Sequence, residues 1–81
     1  MLDFFNGIKV YVYDNDHNPP HFHAIYNEYR ALIEIDTLAV LAGELPPAQL
    51  KKVRQWAKGQ QPQLRAEFER INPNPRNVNP A

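Results

Sequence analysis

The chain has 81 residues, a formal net charge of zero, 43% hydrophobic residues and no cysteine. That length makes one small domain with a thin core, because a chain of this size buries only about 60% of the surface it exposes when unfolded. The absence of cysteine excludes a disulfide framework and any thiolate metal site, and no apolar run approaches the roughly 18 residues that a membrane span needs.

The opening "MLDFFNGIK" has no basic region followed by an apolar stretch, so it does not read as a signal peptide, and the expected location is the cytoplasm. "GIKVYVY" alternates, with Ile8, Val10 and Val12 on one side and Lys9, Tyr11 and Tyr13 on the other, which predicts a strand. "DNDHNPP" breaks it, since Asp and Asn favour turns and Pro19 and Pro20 cannot donate to a sheet ladder. "HFHAIY" and "YRALIEID" follow, joined by Asn27 and Glu28. A two-residue turn there makes a hairpin, with Asn27 in the positive-φ position. Pairing then follows by arithmetic. Tyr26 faces Tyr29, Ala24 faces Ala31 and Phe22 faces Ile33 on an apolar side completed by Ile35. His21 faces Glu34, His23 faces Leu32 and Ile25 faces Arg30 on the other side.

"DTLAVLAGEL" predicts a turn and a short strand around Val40 and Leu41. "PPAQLKKVRQWAK" is a helix entered at Pro46 and Pro47, with a stripe of Leu50, Val53, Trp56 and Ala57 and a stop at Gly59. A second helix takes Pro62 in its first turn and presents Leu64, Phe68 and Ile71. "NPNPRNVNPA", residues 72–81, reads as a disordered tail. The order β-β-β-(β)-α-α predicts a single α+β domain over residues 1–71. It has a three- to four-stranded antiparallel sheet with both C-terminal helices packed on one face, and Trp56 anchors the first helix to the sheet.

Charge is segregated. Residues 1–45 hold two basic and seven acidic side chains, and residues 46–81 hold seven basic and two acidic ones. On the first helix Lys51, Arg54 and Lys58 fall within one arc of about 60°, beside the apolar stripe. A solvated flank is the plainer reading of this arc; three cations there also suit phosphates or an acidic protein, but Gln55 and Gln60 are too little for reading base edges, so nucleic acid is the weaker partner. Tyr11, Tyr13, Ile25 and Leu32 make an apolar-aromatic surface beside the histidines if their side of the sheet is open, and such a surface suits a small protein partner or a second copy. No membrane partner is expected.

"HNPPHFH" carries the only three histidines of the chain. On a strand His21 and His23 share a face. Three readings stand open. As a metal site, for a divalent ion such as zinc, the pair needs further ligands, which His17, Asp16, Asp14 or Glu34 would supply. As a metal-free acid–base centre, His21 and His23 do the chemistry, Glu34 orients His21 and His17 stands at the rim, in the manner of a small ribonuclease-like hydrolase. As a structural device, the imidazoles bond to backbone groups of the loop that Pro19 and Pro20 stiffen. No cofactor is demanded by the sequence.

At "DHNPPHFHAIYNEYRALIEID" the chain resembles the small bacterial proteins grouped as domain of unknown function 4160. The matching stretches are residues 7–24, 29–36 and 50–57. Two positions depart from the pattern: Leu38 and Ala39 stand where members tend to have a Gly-containing turn, and Asn27 stands where Gly is common. The resemblance implies a small cytoplasmic bacterial protein. It also implies a link to toxin–antitoxin-like gene pairs, since such proteins are often encoded beside another small protein. Together with the tyrosine surface, this makes a partner-binding component of such a pair, or of a regulatory pair, the leading expectation. The hydrolase and the metal binder are the alternatives.

Overall fold

A computed structural model describes residues 1–13 and 19–72. The described residues form β1 (Asp3–Phe5), β2 (Ile8–Tyr11), β3 (His21–Tyr26), β4 (Tyr29–Glu34), β5 (Val40–Glu44), α1 (Pro47–Lys58) and α2 (Gln61–Ile71). The strands make one antiparallel sheet in the order β1-β2-β3-β4-β5, each paired with its sequence neighbour. The α+β class therefore stands, with one strand more than the three or four expected. No helix among the described residues is long and apolar enough to cross a membrane.

The extra strand is β1. It turns back into β2 through Asn6 and Gly7, whose φ values of 51° and 77° are the left-handed pair that a tight two-residue hairpin turn requires. Asn-Gly is the strongest short hairpin signal a sequence can carry, and three strand residues lie before it. The alternation of "GIKVYVY" continues past the ladder, which ends at Tyr11.

The β3–β4 hairpin has the register that the sequence dictates, from His21 opposite Glu34 to Tyr26 opposite Tyr29, and Asn27 takes φ 53° in its turn. That register puts Ile8, Val10, Phe22, Ala24, Ala31 and Ile33 on one face, and all are fully buried. α1 adds Val53 and Ala57 to this core, and α2 adds Leu64 and Phe68. Side chains the size of Phe22 or Ile33 contribute about 1.5–3 kcal/mol each when fully buried, so this face supplies most of the stability. Trp56 fastens α1 across it. Its ring lies 5.3 Å from Phe5 and 5.9 Å from Phe22, and its Nε1–H donates to Asp3 at 2.9 Å.

Two helix ends differ from expectation. Gly59 does end α1, but at φ −87° it uses none of its left-handed freedom, and the chain passes through Gln60 straight into α2. Asn72, assigned to the tail from sequence, instead donates from its side chain to the Tyr13 carbonyl at 2.7 Å and from its backbone to Phe68. The remainder of the expected tail, residues 73–81, lies outside the described residues.

Two positive-φ positions lie around β5. Leu38 adopts φ 63° with its side chain buried, in the turn before β5. A left-handed non-Gly residue costs roughly 1–2 kcal/mol, and neighbours that over-determine the turn offset it. The Leu38 amide donates to the Glu34 carbonyl, the Glu34 amide donates to the Ala39 carbonyl, and Arg54 Nε donates to the Leu38 carbonyl at 3.0 Å. Gly43 follows the irregularity where β5 slips by one residue against Leu32 and Ile33. Its φ is 74°, and a Cβ there would drive into the Arg30 carbonyl. Gly43→Ala is therefore expected to lower the unfolding free energy by about 2–3 kcal/mol in urea titrations followed by the fluorescence of Trp56. An unchanged midpoint would show that β5 is free to move away from β4.

Candidate functional site

β3 is the middle strand, and its first four residues, His21, Phe22, His23 and Ala24, are all buried. Phe22 and Ala24 point into the helix-covered core. His21 and His23 occupy the other side of the strand, yet only 6% and 9% of their surface is exposed. Their rings stand 5.3 Å apart. His23 meets the edge of Tyr13 at 4.5 Å, Tyr13 stacks on Tyr11 at 5.4 Å, and His21 lies 5.6 Å from Phe68 of α2. A continuous row of rings thus runs from Tyr11 through both imidazoles to the helix layer. Phe68 joins this row because the end of α2 reaches the same end of the sheet, where Asn72 holds Tyr13.

His21 Nδ1 lies 2.9 Å from the Pro19 carbonyl oxygen, so this nitrogen carries the proton and donates. The carbonyl of Pro20 accepts from the Ile35 amide at 3.0 Å. Both prolines lack an N–H, and both of their carbonyls are held by the hairpin that follows. The burial of His21 and its bond to Pro19 match the structural reading of the cluster.

Glu34 sits opposite His21 in the ladder, but its carboxylate accepts from the Thr37 hydroxyl at 2.8 Å. Thr37 also accepts from the Ala39 amide, so Glu34 serves the turn that carries Leu38. Among the described residues no hydrogen bond joins Glu34 to His21, and the carboxylate that would orient His21 is committed elsewhere. Among the same residues no group of three or more His, Cys, Asp or Glu side chains is arranged to hold an ion. The further ligands considered from sequence, His17, Asp16 and Asp14, lie outside the described residues.

Tyr11 and Leu32 flank His23 directly in the ladder, and Leu32 is followed by Ala42. Tyr11, Tyr13, Ile25 and Leu32 are half-buried, and Phe4 is 54% exposed on the same side of the sheet. None of these five side chains packs against the helix-covered core. Lys51, Arg54 and Lys58 lie elsewhere, along a groove between α1 and the turn before β5. Sequence reasoning had not foreseen Thr37, Asp3 and Phe68 as partners of Glu34, Trp56 and His21. Each lies on a different element from its partner or in an irregular turn, where periodicity carries no information.

On α2 the Arg70 guanidinium bonds to Glu67 and holds its carboxyl below the usual carboxylate range. A lowered carboxylate contributes stability at neutral pH that is lost as pH falls through its folded-state value, but solvent around the exposed Arg70 guanidinium screens the pair and keeps this contribution small.

These features define a small α+β domain: a five-stranded meander with two helices on one face and an imidazole pair in its middle strand. The chain belongs to the family described as domain of unknown function (DUF4160), whose model matches residues 7–69. No curated protein and no solved structure matches it.

Replacing His21 by Ala removes a buried ring from Phe68 and a donor from the Pro19 carbonyl. The expected result is a loss of about 1–3 kcal/mol in thermal or urea unfolding. A variant as stable as the parent would argue that the imidazole is kept for chemistry and not for the loop.

Proposed function

We propose that this protein is a partner-binding module, one component of a toxin–antitoxin-like or regulatory pair of small cytoplasmic bacterial proteins. It engages a small protein through the sheet face that the helices leave open. The observation that carries this reading is the juxtaposition on that face of Phe4, Tyr11, Tyr13, Ile25 and Leu32, set around His23. Aromatic side chains with one wet end and one buried end are the usual anchors of protein interfaces. The burial of both imidazoles also favours it, since an acid–base pair must meet its substrate.

The test uses the product of the neighbouring gene, mixed with the full chain and followed by size-exclusion chromatography with light scattering. A one-to-one complex is expected, and Leu32→Arg is expected to weaken it by about a hundredfold, or roughly 3 kcal/mol, without lowering the melting temperature by more than a few degrees. Complex formation that ignores Leu32→Arg and Tyr11→Asp alike would sink the reading.

The hydrolase and the metal binder are separated from it by the imidazole signals in NMR. Under the binding reading, stoichiometric zinc leaves the His21 and His23 ring resonances in place. A joint shift of both rings would make the cluster a metal centre, and RNA cleavage lost in His23→Ala would make it catalytic.

A further inference from the structure

We infer that the groove between α1 and the turn before β5 is a second binding site, one that takes an acidic peptide segment carrying apolar side chains. The groove has a volume of about 750 Å³. Its apolar wall is formed by Leu38, Pro47 and Leu50, and Lys51, Arg54 and Lys58 supply its charge. None of its lining residues is acidic and none is aromatic.

The charge is uncommitted. Arg65 is paired with Asp36 and Glu69, and Arg70 with Glu67. Among the described residues Lys51, Arg54 and Lys58 have no carboxylate partner, although seven acidic side chains occur in residues 1–45. Arg54 spends one N–H on the Leu38 carbonyl, which fixes its stem and leaves the rest of the guanidinium fork for a carboxylate. The left-handed Leu38 lies in the wall itself, and strain of this kind is found at ligand clamps, where the surroundings hold one backbone shape.

The chemistry of the wall selects the occupant. A nucleic-acid strand needs cations along its backbone together with aromatic platforms for its bases, and the groove offers no ring. An acidic peptide places carboxylates on Lys51, Arg54 and Lys58 and an apolar side chain against Leu38 and Leu50. The site lies on the helix side of the sheet, so it stands or falls separately from the tyrosine face.

The experiment is a fluorescence anisotropy titration of the full chain with a labelled peptide of Glu, Leu and Gly. The same peptide with Gln for Glu, and a single-stranded RNA oligonucleotide, are run beside it. Saturable binding of the acidic peptide is expected, weakened at least about tenfold by the Gln exchange and by moderate salt. The double variant Lys51→Glu, Lys58→Glu is expected to weaken it by the same order with an unchanged melting temperature, because both side chains are exposed and unbonded among the described residues. The inference is overturned by equal binding of the Gln peptide, by RNA that displaces the acidic peptide, or by a double variant that binds as well as the parent. It is also overturned if sedimentation shows a dimer of the parent that the double variant breaks, which would assign the groove to a second copy.

Discussion

The middle position of β3 is the constraint on which the rest depends. With two strands on either side and helices over one face, the first half of β3 has little water to meet, yet two of its residues are imidazoles. A buried ring nitrogen left without a partner costs far more than a bond contributes, so the surroundings must supply one. For His21 Nδ1 the supplier is the carbonyl of Pro19. The loop and the strand are therefore one unit: the prolines give up their own donors, and the histidine side chain provides the donor that returns the chain to the sheet.

The two faces of the sheet are not independent. Phe22 and Trp56 seal the covered side, while the ring row from Tyr11 to Phe68 passes round the end of the sheet and joins the open side to α2. Interiors are close-packed, so a tyrosine on the open side cannot reorient far without disturbing rings that rest on the helix. The cations of α1 belong to a different region with a different logic. There the apolar wall is small, the charge is unpaired, and a strained turn is held by the same arginine that faces the groove.

Much of this was legible in the residues. The β3–β4 register follows from "HFHAIYNEYRALIEID" alone, because a period of two and a two-residue turn allow one solution. The helix stripes at Val53, Ala57, Leu64 and Phe68 were equally readable. β1 was passed over although Asn6-Gly7 announces it, since three residues give too little alternation to see. The burial of His21 and His23 was hidden for a physical reason: alternation reports two faces, and it cannot say how much water either of them meets. The ties between Trp56 and Asp3 and between Asn72 and Tyr13 join residues 53 and 59 positions apart, where spacing is silent. Leu38 is a case in which a departure from the resembled pattern counted against the strand that follows, yet β5 forms after it. The position takes the left-handed shape although it holds a leucine, which adopts it less easily than glycine.

The meander order has a consequence for the chain as it is made. Every ladder joins sequence neighbours, so the strands can find one another early and over short loops. The residues that roof the sheet come last. Until α1 and α2 have emerged, Phe22, Ile33 and Ile35 form a bare apolar plate with two open edges, the kind of surface that sticks to other copies. Trp56 then does more than fill a gap. By reaching back to Asp3 it closes the first strand with the first helix, so the strand made before the rest of its sheet is among the last to be secured.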